Sequence, residues 1–363
     1  MLQCGYHGGM LASPFSRRIR RAILLMLAAL VCLGLSACQR KQLVQREAFV
    51  FGTRVELLSV GSNPEATVSA MAEVLREFDR IHRNYHAWEP SELTRLADAC
   101  RNGQPYPVSA ELGTLLDKAG MLSARSEGLF DPGIGALVRL WGFHTDTFVP
   151  KLPDAAELAR LVAARPGMRD IRVSGGQARC SNPAVSPDFG GFAKGWALDR
   201  AAAILHAKGI HDALINIGGN VMALGKKGDV PWQIGIQDPR GGGAIASLAL
   251  LDGEAVGTSG DYQRYFELEG HRYSHLIDPR NGKPAEGTHA VTILMPPGPD
   301  AGLLSDADSK PIFVAGKDWR QLADKMGVQH VLRVDAEGRI AVTRAMLARL
   351  NFPANHGPDL VVD

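Results

Sequence analysis

Residues 188–225 decide the fold of this chain, and they read DFGGFAKGWALDRAAAILHAKGIHDALINIGGNVMALG. The segment opens as a glycine-containing loop, and small or apolar residues then recur at helical spacing from Ala193 to Leu205. Gly209 follows the last turn, where a glycine commonly ends a helix. DALINIG then predicts a short buried strand, and NVMALG predicts its return after a glycine turn. We therefore expect a loop, a helix and a hairpin in succession.

The loop ahead of this helix has the composition of an anion-binding site. Gly190 and Gly191 let a ligand approach the backbone, and the free N–H groups of a helix start favour negative charge. Lys194 adds a positive charge at the same end, and Asp188 adds an acceptor. A phosphate-bearing ligand is one hypothesis. The alternative is an ordinary loop, helix and hairpin whose glycines serve packing.

The whole chain has an ordinary globular composition. Its 363 residues are 45% hydrophobic and 21% charged, which allows one large domain or two smaller ones. The formal net charge of +2 argues against nucleic acid as the main partner. Helix-like and strand-like segments are mixed rather than strictly alternating, so the sequence favours an α+β or mixed α/β fold.

Residues 1–37 are predicted to be an export signal. A basic run at 17–21 precedes an apolar run at 22–35 that is short for a membrane span. Leu35-Ser36-Ala37-Cys38 resembles the bacterial lipobox, in which the signal is cut before a cysteine that becomes acylated. We therefore expect a lipid-anchored protein that faces the periplasm. An uncleaved membrane helix is the alternative.

The remainder of the chain is predicted to be a polar tether over residues 38–48 and a folded domain over residues 49–363. Cys38 would carry the lipid. Cys100 and Cys180 are then the cysteines left in the domain, too few and too distant for a metal motif. They could pair in an oxidising periplasm, or they could be two buried thiols.

Three groups of polar residues lie in or beside glycine-rich segments: Asp188 with Lys194, residues 258–262 with 274–279, and residues 305–310. Carboxylates with hydroxyls suit a hard cation such as Mg²⁺, and His275 beside a hydroxyl-rich loop suits acid–base chemistry. Ordinary roles are also open, because Asp306 and Asp308 could cap a helix. Tyr85 and Trp88 are either the aromatic walls of a site or a hydrophobic plug.

Several motifs follow one another from residue 51 to residue 284: FGT (51–53), WEPSEL (88–93), FDP (130–132), WGF (141–143), DFGGFAKGWALDR (188–200), NIGGN (216–220), TSGDYQRYF (258–266) and SHLIDPRNGKP (274–284). With this series the chain resembles the ApbE family of FAD:protein FMN transferases. The resemblance implies a two-part α+β architecture with the flavin in the cleft between the parts. It also implies Mg²⁺-dependent transfer of FMN from FAD, through a phosphodiester, to a Thr or Ser of an exported flavoprotein, with release of AMP.

The resemblance assigns roles residue by residue. It implies that FAD is bound by Phe51, Trp88 (or Tyr85), Leu129, Phe130, Asp131, Asp188, Lys194, Leu276 and Ile277. It implies metal ligation by the main-chain carbonyl of Gly191 and by the side chain of Asp306. His275 is the implied acid–base residue, and Asp188 is placed with it in the catalytic group.

Lys310 departs from the family pattern, in which an aspartate is followed four residues later by threonine. A protonated lysine cannot ligate Mg²⁺. Either its ammonium pairs with Asp306 and stands where the metal would, or Asp308 or Ser309 supplies the missing ligand. The leading hypothesis is a flavin transferase, and the departure raises an alternative, a periplasmic lipoprotein that binds or hydrolyses FAD without transferring FMN. A solute-binding lipoprotein is a third hypothesis.

Overall fold

The structure is a computed structural model that describes residues 26, 42–145, 147–354 and 357–363. The predicted signal and lipobox lie outside the described residues, except for Met26. Within those ranges, no helix combines the length and apolar character needed to cross a membrane. Leu43–Asp363 form one compact unit.

The described helices are α1 (Pro64–Asn84), α2 (Glu92–Arg101), α3 (Ala110–Arg125), α4 (Gly135–Leu140), α5 (Ala155–Ala164), α6 (Ala193–Ala207), α7 (Ala301–Val314), α8 (Trp319–Met326) and α9 (Arg344–Leu347). The described strands are β1 (Gln42–Val50), β2 (Thr53–Gly61), β3 (Tyr106–Pro107), β4 (Ile171–Ser174), β5 (Gln177–Cys180), β6 (Ala213–Ile217), β7 (Asn220–Leu224), β8 (Trp232–Gln237), β9 (Ala244–Leu250), β10 (Ala255–Gly260), β11 (Tyr265–Leu268), β12 (His271–Ser274), β13 (Ile277–Asp278), β14 (Lys283–Pro284), β15 (Thr288–Met295), β16 (His330–Asp335), β17 (Ile340–Thr343), β18 (Leu350–Asn351) and β19 (Leu360–Val362). The predicted mixture of helices and strands in an α+β fold is confirmed.

A sheet of nine described strands forms the centre of the compact unit, in the order β1-β2-β6-β7-β10-β15-β16-β17-β19. Neighbouring strands from β2 to β17 are antiparallel, and β17 pairs with β19 in parallel. The predicted strand and return over residues 212–225 are β6 and β7, so this hairpin lies near the middle of the sheet.

Both faces of the central sheet are covered by other elements. Since successive side chains of a strand point to opposite faces, neighbouring residues of one strand join different cores. In β6, Ala213, Ile215 and Ile217 join the core that contains α1, α6 and α7. Leu214 joins a second core with Trp232 and the small sheet β18-β9-β8. The result is a helical layer, the central sheet and a small sheet packed as three layers.

Helix α6 packs against α7 at a point where both helices carry glycine. A Cβ on Gly195 would lie 2.2 Å from the carbonyl oxygen of Gly302, which is closer than any real contact. The Gly195 N–H donates to Oδ2 of Asp306 at 2.9 Å, so a carboxylate of α7 binds the first turn of α6. At the other end, Gly209 has φ +73° and ends α6 as predicted.

Strand β1 corrects the predicted tether over residues 38–48, which was wrong from Gln42 onward. Gln42–Val50 is a strand at the edge of the central sheet. Its residues are mostly exposed on both faces, so the sequence lacks the apolar alternation of an internal strand. The side chain of Glu47 accepts hydrogen bonds from Arg54 of β2 at 2.6 and 3.0 Å.

Cys100 and Cys180 form a disulfide that joins the end of α2 to the end of β5, with 5.1 Å between their Cα atoms. The sequence had left open whether these cysteines pair or remain two buried thiols, and the structure shows the pair.

Candidate functional site

A cleft of about 980 Å³ opens in the compact unit, within the size range of small-molecule sites. It gathers the residues to which the sequence assigned a role: Phe51, Tyr85, Trp88, Leu129, Phe130, Asp131, Asp188, Gly191, Lys194, His275, Leu276, Ile277, Asp306 and Lys310. These residues come from separate loops, from the first turn of α6, from β13 and from α7. Their individual roles stay predictions.

Two lysines flank the carboxylate of Asp306 in the cleft. Lys310 Nζ donates to Asp306 Oδ1 at 2.6 Å and to the Asp306 carbonyl oxygen at 2.7 Å. Lys194 Nζ lies 3.8 Å from Asp306 Oδ2. Burial would raise the pKa of Asp306, but Lys194 and Lys310 outweigh it and hold that pKa below its usual value. Asp306 is therefore an ionised carboxylate with a lysine on each side. Burial lowers the pKa of Lys310, and the adjacent carboxylate of Asp306 acts in the opposite direction.

The residues around Asp306 do not provide a site for a divalent cation. Oxygens of Asp306 already accept the bonds from Lys310 and from Gly195 N–H. Two unit charges about 4 Å apart near a protein surface interact by about 4 kcal/mol, and a dication beside an ammonium doubles that repulsion. Among the described residues, no group of three or more His, Cys, Asp or Glu side chains could hold a metal ion.

The two substitute ligands that the sequence suggested face other partners. Asp308 Oδ2 accepts a hydrogen bond from Arg125 at 2.8 Å, and burial raises the pKa of Asp308 to about 6. Ser309 Oγ forms a hydrogen bond of 2.7 Å with Ser259 Oγ and donates to the Asp306 carbonyl. Neither residue is among those that line the cleft. The first interpretation of Lys310, an ammonium paired with Asp306, matches the geometry.

The loop before α6 is tightly folded around Asp188. Its Oδ1 accepts from Gly190 N–H at 2.8 Å, and its own N–H donates to the carbonyl of Pro132 at 2.7 Å. Burial raises the pKa of Asp188, although Gly190, Arg264 and Lys194 act in the opposite direction. A Cβ on Gly191 would lie 2.5 Å from Phe130 Cε2, so a larger residue at this position would require the Phe130 ring to shift.

His275 is held in the cleft by one carbonyl group. Its Nδ1 lies 3.1 Å from the carbonyl oxygen of Arg264, which also accepts the His275 N–H at 3.0 Å. Burial and the positive charge of Arg264 lower the pKa of His275 to about 3. The ring is therefore neutral at physiological pH. With Nδ1–H donating to the carbonyl, Nε2 carries the lone pair that an acid–base residue needs.

Aromatic side chains form much of the apolar lining. Phe51 has φ +57°, an uncommon value for a non-glycine residue, and its ring lies 5.7 Å from that of His82. The guanidinium of Arg264 lies 5.8 Å from the Trp88 ring. Tyr85 is buried and its hydroxyl donates to Glu111 at 2.5 Å. Trp88 is thus a half-buried wall of the cleft, whereas Tyr85 is mainly a packing residue.

Asp131 lines the cleft, but its carboxylate is occupied by protein donors. Its Oδ1 accepts from the N–H groups of Gly133 and Met168 at 2.7 and 2.9 Å. Its Oδ2 accepts from Ser123 Oγ at 2.6 Å. The geometry favours a positioning role in the loop that carries Phe130.

A family model described as the ApbE family matches residues 51–332, well over half of the chain. The chain belongs to the ApbE family.

Curated relatives and solved structures agree with this membership. The chain is 44% identical over 326 residues to the FAD:protein FMN transferase of Rhodobacter capsulatus, covering 88% of this chain but only 61% of that protein. It is 31% identical to the protein of the same name from Treponema pallidum, covering 77% of this chain and 83% of the relative. An ApbE protein from Thermotoga maritima has a TM-score of 0.76 at 32% identity, over 84% of this chain and 98% of that chain. The flavin transferase ApbE of Vibrio cholerae has a TM-score of 0.73 at 25% identity, over 85% and 99%.

This ApbE-family cleft also contains residues that the sequence did not single out. His82 lies in the last turn of α1 and His86 just after the helix, and their ring centroids lie 4.8 Å apart, with His82 beside Phe51. Arg264 lies within the TSGDYQRYF motif and contacts both His275 and Trp88. The spacing of the two histidines was visible in the sequence, but only the fold places them beside the other motifs.

Proposed function

We propose that this chain transfers FMN from FAD, through a phosphodiester, to a Thr or Ser of an exported flavoprotein and releases AMP. The relatives named FAD:protein FMN transferase support the reaction class. The observation that carries the proposal is the meeting of Lys194, Lys310 and His275 in one cleft at the start of α6. Such a cleft combines positive charge for a diphosphate with a neutral base for a hydroxyl.

The cleft offers separate surfaces for the two ends of a dinucleotide. The apolar side chains of Phe51, Trp88, Phe130, Leu276 and Ile277 suit an isoalloxazine ring, because aromatic rings prefer such neighbours. The diphosphate then lies near the start of α6, where the helix dipole and the lysines favour negative charge.

The chemical step follows from the state of His275. Its Nε2 takes the proton of the acceptor hydroxyl, and the hydroxyl oxygen bonds to the phosphorus of the FMN half. The bond from that phosphorus to the bridging oxygen breaks, and AMP leaves with the electron pair. Lysine ammonium groups stabilise the charge that develops on the phosphate oxygens. Positioning in the cleft supplies much of the remaining acceleration.

The cellular setting is part of the same proposal. A lipid on Cys38 would anchor the chain in the bacterial envelope, facing the periplasm, where an exported client flavoprotein is accessible. Acylation contributes about 0.8 kcal/mol for each buried methylene, so an acylated cysteine binds the chain to the membrane.

The ion pair between Lys310 and Asp306 favours a second candidate function. If transfer needs a cation at Asp306, the chain would bind FAD, or hydrolyse it to FMN and AMP, without labelling a client. Mg²⁺ dependence is what the family resemblance implies, so the assay is run with and without Mg²⁺.

The test incubates the purified full-length chain with FAD and a peptide that contains an acceptor threonine. A peptide mass increase of one FMN group, with one AMP released for each label, is the expected result. AMP without a labelled peptide indicates hydrolysis, and intact bound FAD indicates a binding protein. Absence of FAD binding contradicts all three of these functions and leaves the solute-binding hypothesis.

A further inference from the structure

The ammonium of Lys310 lies against Asp306, the carboxylate to which the family resemblance assigns a metal. Its two contacts, at 2.6 and 2.7 Å, both go to oxygens of Asp306. An ammonium has three N–H donors, so one donor of Lys310 has no partner among the residues that the structure describes. The side chain lines the cleft, and this donor is therefore available to an anionic ligand.

Neighbouring groups fix the position of this ammonium. A Cβ on Gly191 would lie 3.3 Å from Lys310 Cδ, so the loop before α6 packs against the lysine stem. Lys194 lies on the other side of the carboxylate, 3.8 Å from Asp306 Oδ2. The two ammonium groups outnumber the single Asp306 carboxylate between them, so this trio carries one net positive charge, which suits a diphosphate.

We infer that Lys310 supplies to the FAD diphosphate the positive charge that a divalent cation supplies in a metal-dependent phosphoryl-transfer site, so that FMN transfer by this chain needs no Mg²⁺. The inference rests on the proposed function and concerns the same bond exchange. The acceptor oxygen bonds to the FMN phosphorus, the phosphorus–oxygen bond to AMP breaks, and the hydroxyl proton passes to His275. Lys310 donates to the phosphate oxygens on which negative charge accumulates during that exchange.

The experiment compares the full-length wild-type chain with three variants, each assayed for peptide labelling in EDTA and in excess Mg²⁺. Lys310→Thr removes the ammonium and offers a hydroxyl oxygen, which is the donor type that Mg²⁺ takes. Lys310→Met removes the ammonium and offers no ligand. Lys325→Thr is the matched control, because Lys325 is an exposed residue of α8 paired with Glu127 and does not line the cleft.

The wild type and Lys325→Thr should label the peptide at the same rate in EDTA and in Mg²⁺. Lys310→Thr should lose about tenfold or more in EDTA, since a charge-assisted hydrogen bond is removed, and should recover in Mg²⁺. Lys310→Met should stay slow in both. Retained FAD binding shows that each variant is folded. A wild type that is active only with Mg²⁺ overturns the inference.

A separate measurement distinguishes a failure of the inference from a failure of the proposed function. Mn²⁺ is titrated into the wild-type complex with FAD and into the Lys310→Thr complex, and bound Mn²⁺ is measured by electron paramagnetic resonance. The inference expects binding by the variant and none by the wild type. Mn²⁺ bound by the wild type and released by Asp306→Asn overturns it, even if no condition gives a labelled peptide. FAD binding without labelling in every condition contradicts the proposed function instead.

Discussion

The environment of His275 makes its protonation unusual. Its Nδ1 contacts the carbonyl of Arg264, and burial together with the Arg264 charge lowers its pKa to about 3. For a histidine with the ordinary pKa of about 6.5, the neutral fraction would fall about tenfold by about pH 5.5. His275 instead stays neutral from about pH 5 upward. Because its pKa is lowered, protonation of His275 should not reduce the transfer rate as the pH falls slightly below neutrality.

We expect the transfer rate at saturating FAD to change by less than about twofold between about pH 5.5 and pH 7.5. His275→Ala should lower the rate by about a hundredfold or more while FAD stays bound. His271→Ala is the control, because His271 is an exposed residue of β12, the strand that ends just before His275, and should leave the rate unchanged. Normal turnover by His275→Ala would remove the acid–base assignment.

Hydrogen bonds between residues far apart in the sequence could not be predicted from the motifs. The motifs predicted which residues line the cleft, because a motif fixes residue type and order. They did not reveal that the Asp131 carboxylate accepts bonds from Ser123 and Met168, or that Asp308 pairs with Arg125. These partners lie up to 183 positions apart in sequence, and only tertiary packing brings them together.

Among the helices, the crossing of α6 and α7 sets the geometry of the cleft. Gly195 and Gly302 meet there, and Asp306 binds the first turn of α6 one turn farther along α7. Gly195→Ala should lower the free energy of unfolding by about 1–3 kcal/mol, because the added methyl overlaps the Gly302 carbonyl. It should also weaken FAD binding, since Asp306 and Lys310 must move.

Gly120→Ala is the matched control for this change. Gly120 lies inside α3, and nothing lies within 4 Å of a Cβ placed on it. Because alanine favours a helix, this substitution should raise the free energy of unfolding by about 0.5–1 kcal/mol. Chemical denaturation of both variants checks the pair, and equal effects at the two positions would contradict the close crossing.

Asp199 links α6 to the start of α7 and makes stability depend on pH. Its carboxylate accepts from the N–H groups of Gly302 and Leu303 at 2.8 Å each. Burial and the nearby Asp300 raise the pKa of Asp199 to about 7, against the effect of those hydrogen bonds. The folded state therefore binds the proton more tightly than the unfolded chain, whose aspartate pKa is about 3.9. The contribution of Asp199 to stability is full at low pH and falls as pH rises from about 4 to about 7.

Asp199→Asn should remove this dependence, which amounts to at most about 4 kcal/mol. Thermal unfolding of the wild type and the variant at about pH 4.5 and pH 7.5 measures it, because other titrating groups cancel in the comparison. The wild type should lose stability relative to Asp199→Asn at the higher pH. A constant difference between the two proteins would contradict the shifted pKa.

Single elements were predictable where one face is apolar and the ends carry clear signals. Helical spacing and Gly209 were sufficient to predict α6, and an apolar stripe was sufficient to predict α1. Strand β1 was missed because an edge strand needs no apolar face, so its polar residues resembled a tether.

In the whole molecule, the disulfide Cys100–Cys180 closes a long loop of chain. A bond across 80 positions restricts the unfolded state, which corresponds to about 4 kcal/mol in the chain-entropy model. Urea denaturation with and without a reductant should show a large loss of stability for the wild type. The double variant Cys100→Ala, Cys180→Ala should unfold early and not respond to the reductant. A wild type that is indifferent to the reductant would mean that the bond makes no contribution.

The three-layer arrangement could not be predicted from the sequence, because it depends on which strands pair in the sheet. The α+β class followed from the mixture of segments, but β10 pairs with both β7 and β15, and β15 pairs with β16. Helix α7 lies between β15 and β16 in the chain and packs back on β10 and β15. Such neighbour relations depend on long-range pairing, which local periodicity does not encode.

The pairing of Lys310 with Asp306 within one turn of α7 has a consequence for how such sites change over generations. Lysine and threonine codons differ at their middle base, so one point mutation exchanges an ammonium for a hydroxyl without disturbing the helix. A lineage could therefore change from a lysine ammonium to a bound Mg²⁺ ion, or back, as the source of positive charge in this site. Growth selection on magnesium-poor medium, applied to a codon library at position 310, would reveal which supply is favoured.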